Sequence, residues 1–424
     1  MTFEEALKLL ERRQEAKWKL GLSRIESLLG ALGNPQDATA VVHAAGTNGK
    51  GSFCAMLASI LSAAGHRTGL FTSPHLVSPR ERIQVDGVMI SEEDFGRAIK
   101  EVVAREPEKA TYFELMTAAA FLHFKRADSD FAVVEVGMGG RLDATNAIAK
   151  PALTAITSIA HDHAKHLGST LAEIAGEKCG ILKAGVVCIT GELGFEPLET
   201  IRRRAYEAAA PLIVHRDALE PIDSDWSGGT QTVRAWTGER LTLGMLGAPA
   251  RINAALALRA VEELRAQGTP ISEEAVEKGL RAARWPGRFD VRREGERFLI
   301  VDGAHNPAAM AAFCADWELS PFSKMDACFI VSILGDKDID AVLRHLAPRV
   351  RRAICCTPPS PRALPAAETA ARLKRLGVGE ISVVEDPAAA VAAWRAGSSR
   401  VGAAVGSFYS AGRILADGAK ETAA

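Results

Sequence analysis

Residues 38–65 read ATAVVHAAGTNGKGSFCAMLASILSAAG: a β-rich run, a turn holding Gly46, Gly49 and Gly51 around Lys50, then a helix-forming run closed by glycine. Glycines let backbone N–H groups turn inward and approach phosphate oxygens without a Cβ clash, and a helix N-terminus adds favourable partial charge. Lys50 is then placed to neutralise β- and γ-phosphates, with Ser52 the nearest hydroxyl. The loop departs twice from the pattern G-x-x-x-x-G-K-[ST]: Ala44 stands at the first Gly and Gly51 at the Ser/Thr. Taken alone, a Gly-rich strand-to-helix turn signals only tight geometry. Strand, three glycines, Lys and Ser together predict a nucleotide phosphate loop spanning Gly46, Thr47, Asn48, Gly49, Lys50, Gly51 and Ser52.

The flanking sequence repeats the strand-to-helix rhythm. TAVVHAAG, RTGLFTS, DFAVVEVG and LTAITSIA are short β-rich runs, most of them leading towards helical stretches, which predicts βαβ units and a parallel sheet. DWSGGTQTVRAWTGERLTL reads as two antiparallel strands around a Gly-Gly turn, and NAALALRAVEELRAQG as a helix closed by Gly268. Trp285-Pro286-Gly287 breaks a helical pattern, and beyond it RFLIVDGAHN, DACFIVSILGDKD, RAICCTPP and EISVVED read as four more strands. The expectation is two α/β domains, 1–286 and 287–424, the first ATPase-like around the phosphate loop and the second smaller.

Composition narrows the function classes. Lys+Arg 51 against Asp+Glu 52 leaves a formal charge of -1, so no global field draws in nucleic acid or an anionic membrane, and an anionic ligand has to be met locally. The N-terminal MTFEEALKLLERRQEAKWK is a charged amphipathic pattern with a capping box from Thr2 to Glu5, unlike a signal peptide, and no apolar run approaches the roughly eighteen residues of a membrane span. The Cys total of 7 is odd and contains no C-x-x-C pair, which suits a reducing cytosol better than a disulfide framework. A cytoplasmic protein is expected.

GTNGKGS resembles the loop of the Mur ligase superfamily, and Gly51 resembles its folate branch, the folylpolyglutamate and dihydrofolate synthases. Further segments resemble that family's motifs in the same order: FTSPHLVSPRERIQVDG (71–87), TYFELMTAAAF (111–121), VVEVGMGGRLDATN (133–146), SIAHDHAKHLGSTLAEIAGEKCGILK (158–183), WPGRFDV (285–291), VDGAHNPAAM (301–310), LGDKDID (334–340) and VGSFYSAGRIL (405–415). The resemblance implies a Mur ligase architecture, with a P-loop ATPase-like domain followed by a Rossmann-like α/β domain that closes over ATP. It also implies a reaction in which ATP activates a carboxylate as an acyl phosphate and the amine of L-glutamate displaces phosphate. Such chemistry needs cations around several anionic oxygens more than it needs a strong protein nucleophile.

By the same resemblance, Ser73, Glu135 and His163 would hold Mg²⁺, with spacing from Glu135 and Lys178 favouring His163 over His161. A histidine like His163 taken by itself reads more readily as a hydrogen-bonded core or loop residue, and only the surrounding motif reverses that. Lys178 matches a lysine that is commonly carbamylated in the family, while the bare pattern AEIAGEK is an amphipathic helix with exposed charge. Asn253 would contact adenine, although Pro249-Ala250 replace the usual His-Gln pair; Arg288 would clamp phosphate; Asp302 would meet ribose and His305 the transferred phosphoryl group. DGAHNP is also readable as an Asx-type turn opening a helix at Pro307. Trp18, Lys19, Leu20, Tyr112, Phe113, Glu114, Leu142, Asp143 and Ala144 would line the folate pocket, where aromatics stack on a flat ring and Asp143 accepts its hydrogen bonds. Any one of these aromatics alone reads as core. The expected partners are ATP, L-glutamate and dihydropteroate or reduced folates, the expected state a monomer. The rival readings are another amino-acid ligase of the superfamily, a phosphate-loop ATPase without ligase activity, and a binding protein with a degenerate site.

Overall fold

The run at 38–46 forms the central strand of an eight-stranded sheet. Its strands are β1 (Ala40–Ala45), β2 (Thr68–Phe71), β3 (Ile83–Val85), β4 (Val88–Met89), β5 (Phe131–Glu135), β6 (Leu153–Ile156), β7 (Cys188–Thr190) and β8 (Leu212–Val214), in the order β4-β3-β2-β5-β1-β6-β7-β8. Every residue of β5 and β6, and all but the first of β1, is buried, as a sheet covered on both faces requires. β1 pairs in parallel with β5 and β6, with Ala44 opposite Glu135 and Ala45 opposite Ile156. Only β3 and β4, at one edge, run antiparallel to their neighbours.

This computed structural model describes residues 1–14, 21–191 and 193–421, and the chain separates into two units. The first comprises Met1–Ala160, Ala164–Ala218 and Ile252–Ala283; the second comprises His161–His163, Leu219–Arg251 and Arg284–Ala424. A cut at 286/287 divides by position along the chain, whereas packing groups Leu219–Arg251 with the later residues. Trp226 and Leu246 pack into the same apolar cluster as Phe289 and Phe313. In that segment β9 (Glu220–Asp225), β10 (Thr230–Arg234) and β11 (Arg240–Leu243) form a three-stranded antiparallel sheet. The Gly228-Gly229 turn joins the first two, as expected, and β11, beyond a second turn at Gly238, makes a third strand where two were expected; β9, EPIDSD, is mostly exposed and lacks an apolar alternation.

The second unit's larger sheet contains β12 (Asp290–Glu294), β13 (Arg297–Asp302), β14 (Ala327–Val331), β15 (Arg352–Cys355), β16 (Glu380–Val383) and β17 (Val401–Val405), ordered β12-β13-β17-β14-β15-β16. All pairings are parallel except β12 with β13. The four strands read from the sequence are β13 to β16. β17 was passed over because VGAAV is too small in side chain to stand out, and β12 because RFDVRRE is charged.

Local signals explain several boundaries. Thr2 and Glu5 exchange the hydrogen bonds of a capping box. The helix Ala248–Ala266 is followed by Gly268 at φ +93. Asn306 caps the helix Pro307–Leu319 by accepting from Ala309 N–H at 2.9 Å. The helix Glu273–Ala282 approaches the helix Lys50–Ala63 so closely that a Cβ at Gly279 would lie 2.4 Å from Ile60 Cα. All seven cysteines are free and buried. Among the described residues no helix is long and apolar enough to cross a membrane.

Candidate active site

In the first unit the glycine loop leaves β1 and enters the helix Lys50–Ala63 directly, with Gly49 as N-cap. Gly46 takes φ +153, and a Cβ there would lie 2.0 Å from Thr157 Oγ1, so no other residue fits. The loop is braced from the end of β6. Thr47 N–H donates to Ser158 O at 2.7 Å, the Thr47 hydroxyl to Ala160 O at 3.1 Å, and the Thr157 hydroxyl to Asn48 O at 2.7 Å. Thr157 and Ser158 had been passed over. Their signal was two hydroxyl residues just after a buried parallel strand, at the edge where α/β ligands are met.

Lys50 folds back over the loop, its Nζ donating to Gly46 O at 3.1 Å and Thr47 O at 3.3 Å and lying 3.8 Å from Glu135 Oε1. Glu135, the last residue of β5, is brought level with the loop by pairing opposite Ala44. Its Oε2 accepts Ser73 N–H at 2.9 Å. A buried carboxylate and a serine thus meet beside the loop lysine; carboxylate and hydroxyl oxygens are the sparse ligand type that suits a hard divalent cation completed by phosphates and water. Lys178 ends its helix, Leu171–Lys178, fully inside, and donates from Nζ to Gly46 O at 2.9 Å. Asn253 is buried, with its carboxamide over Gly49. Ser52 is buried in the first turn of the helix and Gly51 precedes it.

A cavity of about 100 Å³ opens in the same unit, walled by Phe113, Glu114, Leu142, Asp143 and Ala144, with Thr111 and Gly21 among its other residues. Five of the expected folate residues therefore share one cavity. Tyr112 is not in its wall and lies with Arg82 5.2 Å from its ring. Trp18, Lys19 and Leu20 fall outside the described residues. Glu114 is largely committed: it accepts Thr111 N–H at 2.7 Å in a capping box and pairs with Arg24 at 3.1 Å. Asp143 accepts from Met138 N–H at 2.9 Å, Thr145 N–H at 3.0 Å and the Thr145 hydroxyl at 2.6 Å. Burial pushes its carboxyl above the usual range, and these donors oppose the rise.

The second unit holds another constellation, centred on a residue given no role from sequence. Asp162 is buried as a side chain and collects Lys337 Nζ at 2.6 Å, His305 Nε2 at 3.4 Å and Asn306 Nδ2 at 3.2 Å. Burial raises the Asp162 carboxyl, but the hydrogen bond and charge of His305, with His163 and Lys337, hold it far below the usual range. Nδ1 of His305 donates to Gly303 O at 2.8 Å, which fixes the ring from the other side. Phe408 lies between two expected residues: Arg288 is 4.1 Å above its ring, and His305 meets it edge-on at 5.1 Å. Asp302 accepts Phe289 N–H and Ala304 N–H, each at 2.7 Å, and burial raises its carboxyl while Arg288 opposes this. The Asx-type turn is therefore present. His163, at φ +52 and partly exposed, belongs to this unit, whereas Ser73 and Glu135 belong to the first. Asp162 and Lys337 lie within the segments SIAHDH and LGDKDID that resemble the family's motifs, but neither is among the residues expected at the site.

Two family descriptions match the chain: the Mur ligase middle domain at residues 44–187, and the Mur ligase, glutamate ligase domain, at residues 287–406. The Bacillus subtilis dihydrofolate synthase/folylpolyglutamate synthase is 36% identical over 357 residues, covering 81% of this chain and 82% of the relative. The Escherichia coli protein of the same name is 37% identical over 379 residues, covering 88% and 85%. Among solved structures, E. coli FolC in complex with DHPP and ADP superposes with a TM-score of 0.87 at 32% identity over 100% of this chain and 99% of that one. The Yersinia pestis bifunctional folylpolyglutamate synthase/dihydrofolate synthase complexed with AMPPNP and Mn gives 0.83 at 31% identity, over 98% of each.

Proposed function

The chain belongs to the dihydrofolate synthase/folylpolyglutamate synthase family of the Mur ligases, and on that premise we propose how its own residues carry the family's reaction. It is an ATP-dependent ligase that forms an amide between L-glutamate and a folate carboxylate. The observation that carries the assignment of residues is the convergence of Lys50, Lys178 and Glu135 on one glycine loop, in the same unit as the cavity walled by Phe113 and Asp143.

The substrate carboxylate attacks the γ-phosphorus of ATP, ADP leaves, and an acyl phosphate forms; the glutamate amine then attacks the acyl carbon, loses a proton and expels phosphate. The loop Gly46–Ser52 holds the phosphates with the N–H groups that Thr47 and Asn48 do not already spend on Ser158, and Lys50 exchanges its carbonyl partners for phosphate oxygens. Ser73, Glu135 and His163 are the residues that would hold Mg²⁺, which would supply positive charge to offset that on the transferred phosphoryl group. Asn253 is assigned to adenine, Asp302 to ribose, Arg288 to phosphate and His305 to the phosphoryl or acyl phosphate oxygens. Lys178 is the candidate for carbamylation, its amine already buried against the loop.

Both acceptors are proposed, dihydropteroate and reduced folates, supported by the double name of the B. subtilis and E. coli relatives. Action as a monomer is part of the proposal, checked by light scattering. The deciding assay is phosphate release with ATP, Mg²⁺ and L-glutamate, comparing dihydropteroate, tetrahydrofolate and no acceptor, with products identified by mass. Glutamate-dependent product from both acceptors is expected. Product from one alone restricts the activity, and silence with both in a protein that binds ATP refutes the folate assignment.

A further inference from the structure

His43 lies inside β1, three residues before the glycine loop, fully buried and untouched by the assignments above. Its Nε2 is 2.8 Å from Thr145 Oγ1, and that hydroxyl is 2.6 Å from Asp143 Oδ1 in the cavity wall. Oδ1 of the carboxylate, which also faces Thr145 N–H, can only accept, so the Thr145 hydroxyl proton is committed to Asp143. Thr145 Oγ1 must then accept from His43, which fixes the imidazole proton on Nε2 and leaves Nδ1 a bare acceptor. Nδ1 is buried with no hydrogen-bond partner, a desolvation cost that an apolar side chain would avoid. Burial, with Lys183 adding repulsion, pushes the His43 pKa down to about 3, so the ring stays neutral and the direction of the chain does not change near neutral pH.

A residue that bears this cost inside a parallel strand is explained by what its proton does at the far end. We propose that His43 and Thr145 are positioning residues that set ligand specificity: the chain from His43 through Thr145 holds the Asp143 carboxylate as a fixed acceptor for the ring donors of a pterin in the cavity. The inference rests on the folate reading and adds two residues to it. Without the Thr145 hydroxyl, Asp143 loses its shortest donor and keeps only backbone N–H donors, those of Met138 and Thr145 among them, so its carboxylate is held less tightly, and His43 is left with both nitrogens unsatisfied.

The test compares wild type, Thr145→Val, Thr145→Ser and His43→Leu in the full chain. Affinity is measured for dihydropteroate and for an analogue lacking its 2-amino group, alongside the KM for ATP. Thr145→Val is expected to weaken dihydropteroate binding about tenfold, the size of one lost hydrogen bond to a charged group, with the KM for ATP unchanged. It is also expected to erase the preference for dihydropteroate over the analogue, and Thr145→Ser to restore both. His43→Leu is expected to act in the same direction and add little on top of Thr145→Val, because the two serve one chain. Equal weakening of both ligands would reduce the chain to a scaffold and overturn the proposal, as would unchanged affinity and preference in Thr145→Val. Should the valine variant fail to fold, Thr145→Ala removes the same hydroxyl and is read identically. Wild type that binds neither ligand brings down the folate reading itself, an outcome distinct from wild-type binding that Thr145→Val leaves intact.

Discussion

The carboxamide of Asn253 covers the α-carbon of Gly49, where a Cβ would meet Oδ1 at 2.5 Å and Nδ2 at 2.8 Å. Gly49 also sits at φ +86, so any side chain there suffers strain and collision together. Gly49→Ala is expected to displace Asn253 and lower both ATP affinity and turnover by about 10²-fold, the scale set by misplacing a binding group. Titration with ADP checks this, while binding of dihydropteroate in the absence of nucleotide should be unchanged.

Lys50 is assigned to the charge that develops on the phosphates, and its partners are two loop carbonyls and a carboxylate at 3.8 Å. Lys50→Ala is therefore expected to cost about 10²-fold or more in kcat with a melting temperature close to wild type. Near-normal turnover would refute the assignment of the loop.

These two residues also mark how much could be read from sequence. The loop was legible because its glycines, lysine and flanking strand and helix are local in the chain, and local geometry follows from local residue type. Glu135 and Asn253 required the family resemblance, since nothing near them states that they fold against residues 44 and 49. Asp162 and Lys337 lie far apart in sequence, and a lone carboxylate or lysine carries no mark of its partner. Phe408 carries no role in the sequence for the same reason: its ring meets Arg288, a neighbour more than a hundred positions away. The sheet strands β12 and β9 were illegible on different grounds, being charged segments whose pairing is decided by the adjacent strand.

Asp162 is the single carboxylate that holds Lys337 and orients His305. Asp162→Asn keeps the shape but removes the charge, so Lys337 loses its counter-ion and His305 its fixed orientation. The expected result is a fall in kcat of at least about tenfold with little change in folate affinity, and Lys337→Met should add less than its own separate effect when combined with it. Steady-state kinetics on the two single variants and the double variant decide the matter.

Lys178 has its amine buried 2.9 Å from Gly46 O, a position from which a carbamate would put negative charge beside the loop. Intact-protein mass under non-denaturing, CO₂-replete conditions is expected to show the mass of one added CO₂ that vanishes in Lys178→Ala. An unmodified mass would assign Lys178 the simpler task of bracing Gly46, in which case Lys178→Met should lower stability and activity together.

Asp316 offers a test that does not depend on ligand. It is buried, accepts Ala248 N–H at 2.9 Å, and lies where a Cβ on Gly247 would meet its Oδ2 at 2.1 Å. Burial raises its pKa to about 6 from an ordinary value of 3.8, with Ala248 N–H and Arg251 opposing the rise. A carboxyl raised on folding binds its proton more tightly in the native state, so its contribution to stability is complete below about 4 and is lost as pH rises through about 6. Asp316→Asn keeps an acceptor for Ala248 and has no proton to lose. Its melting temperature is therefore expected to exceed that of wild type at pH 7.5, and the gap is expected to close as pH falls towards 4.5. A gap of the same size at both pH values would place the cause in packing around Gly247 instead of in the Asp316 charge.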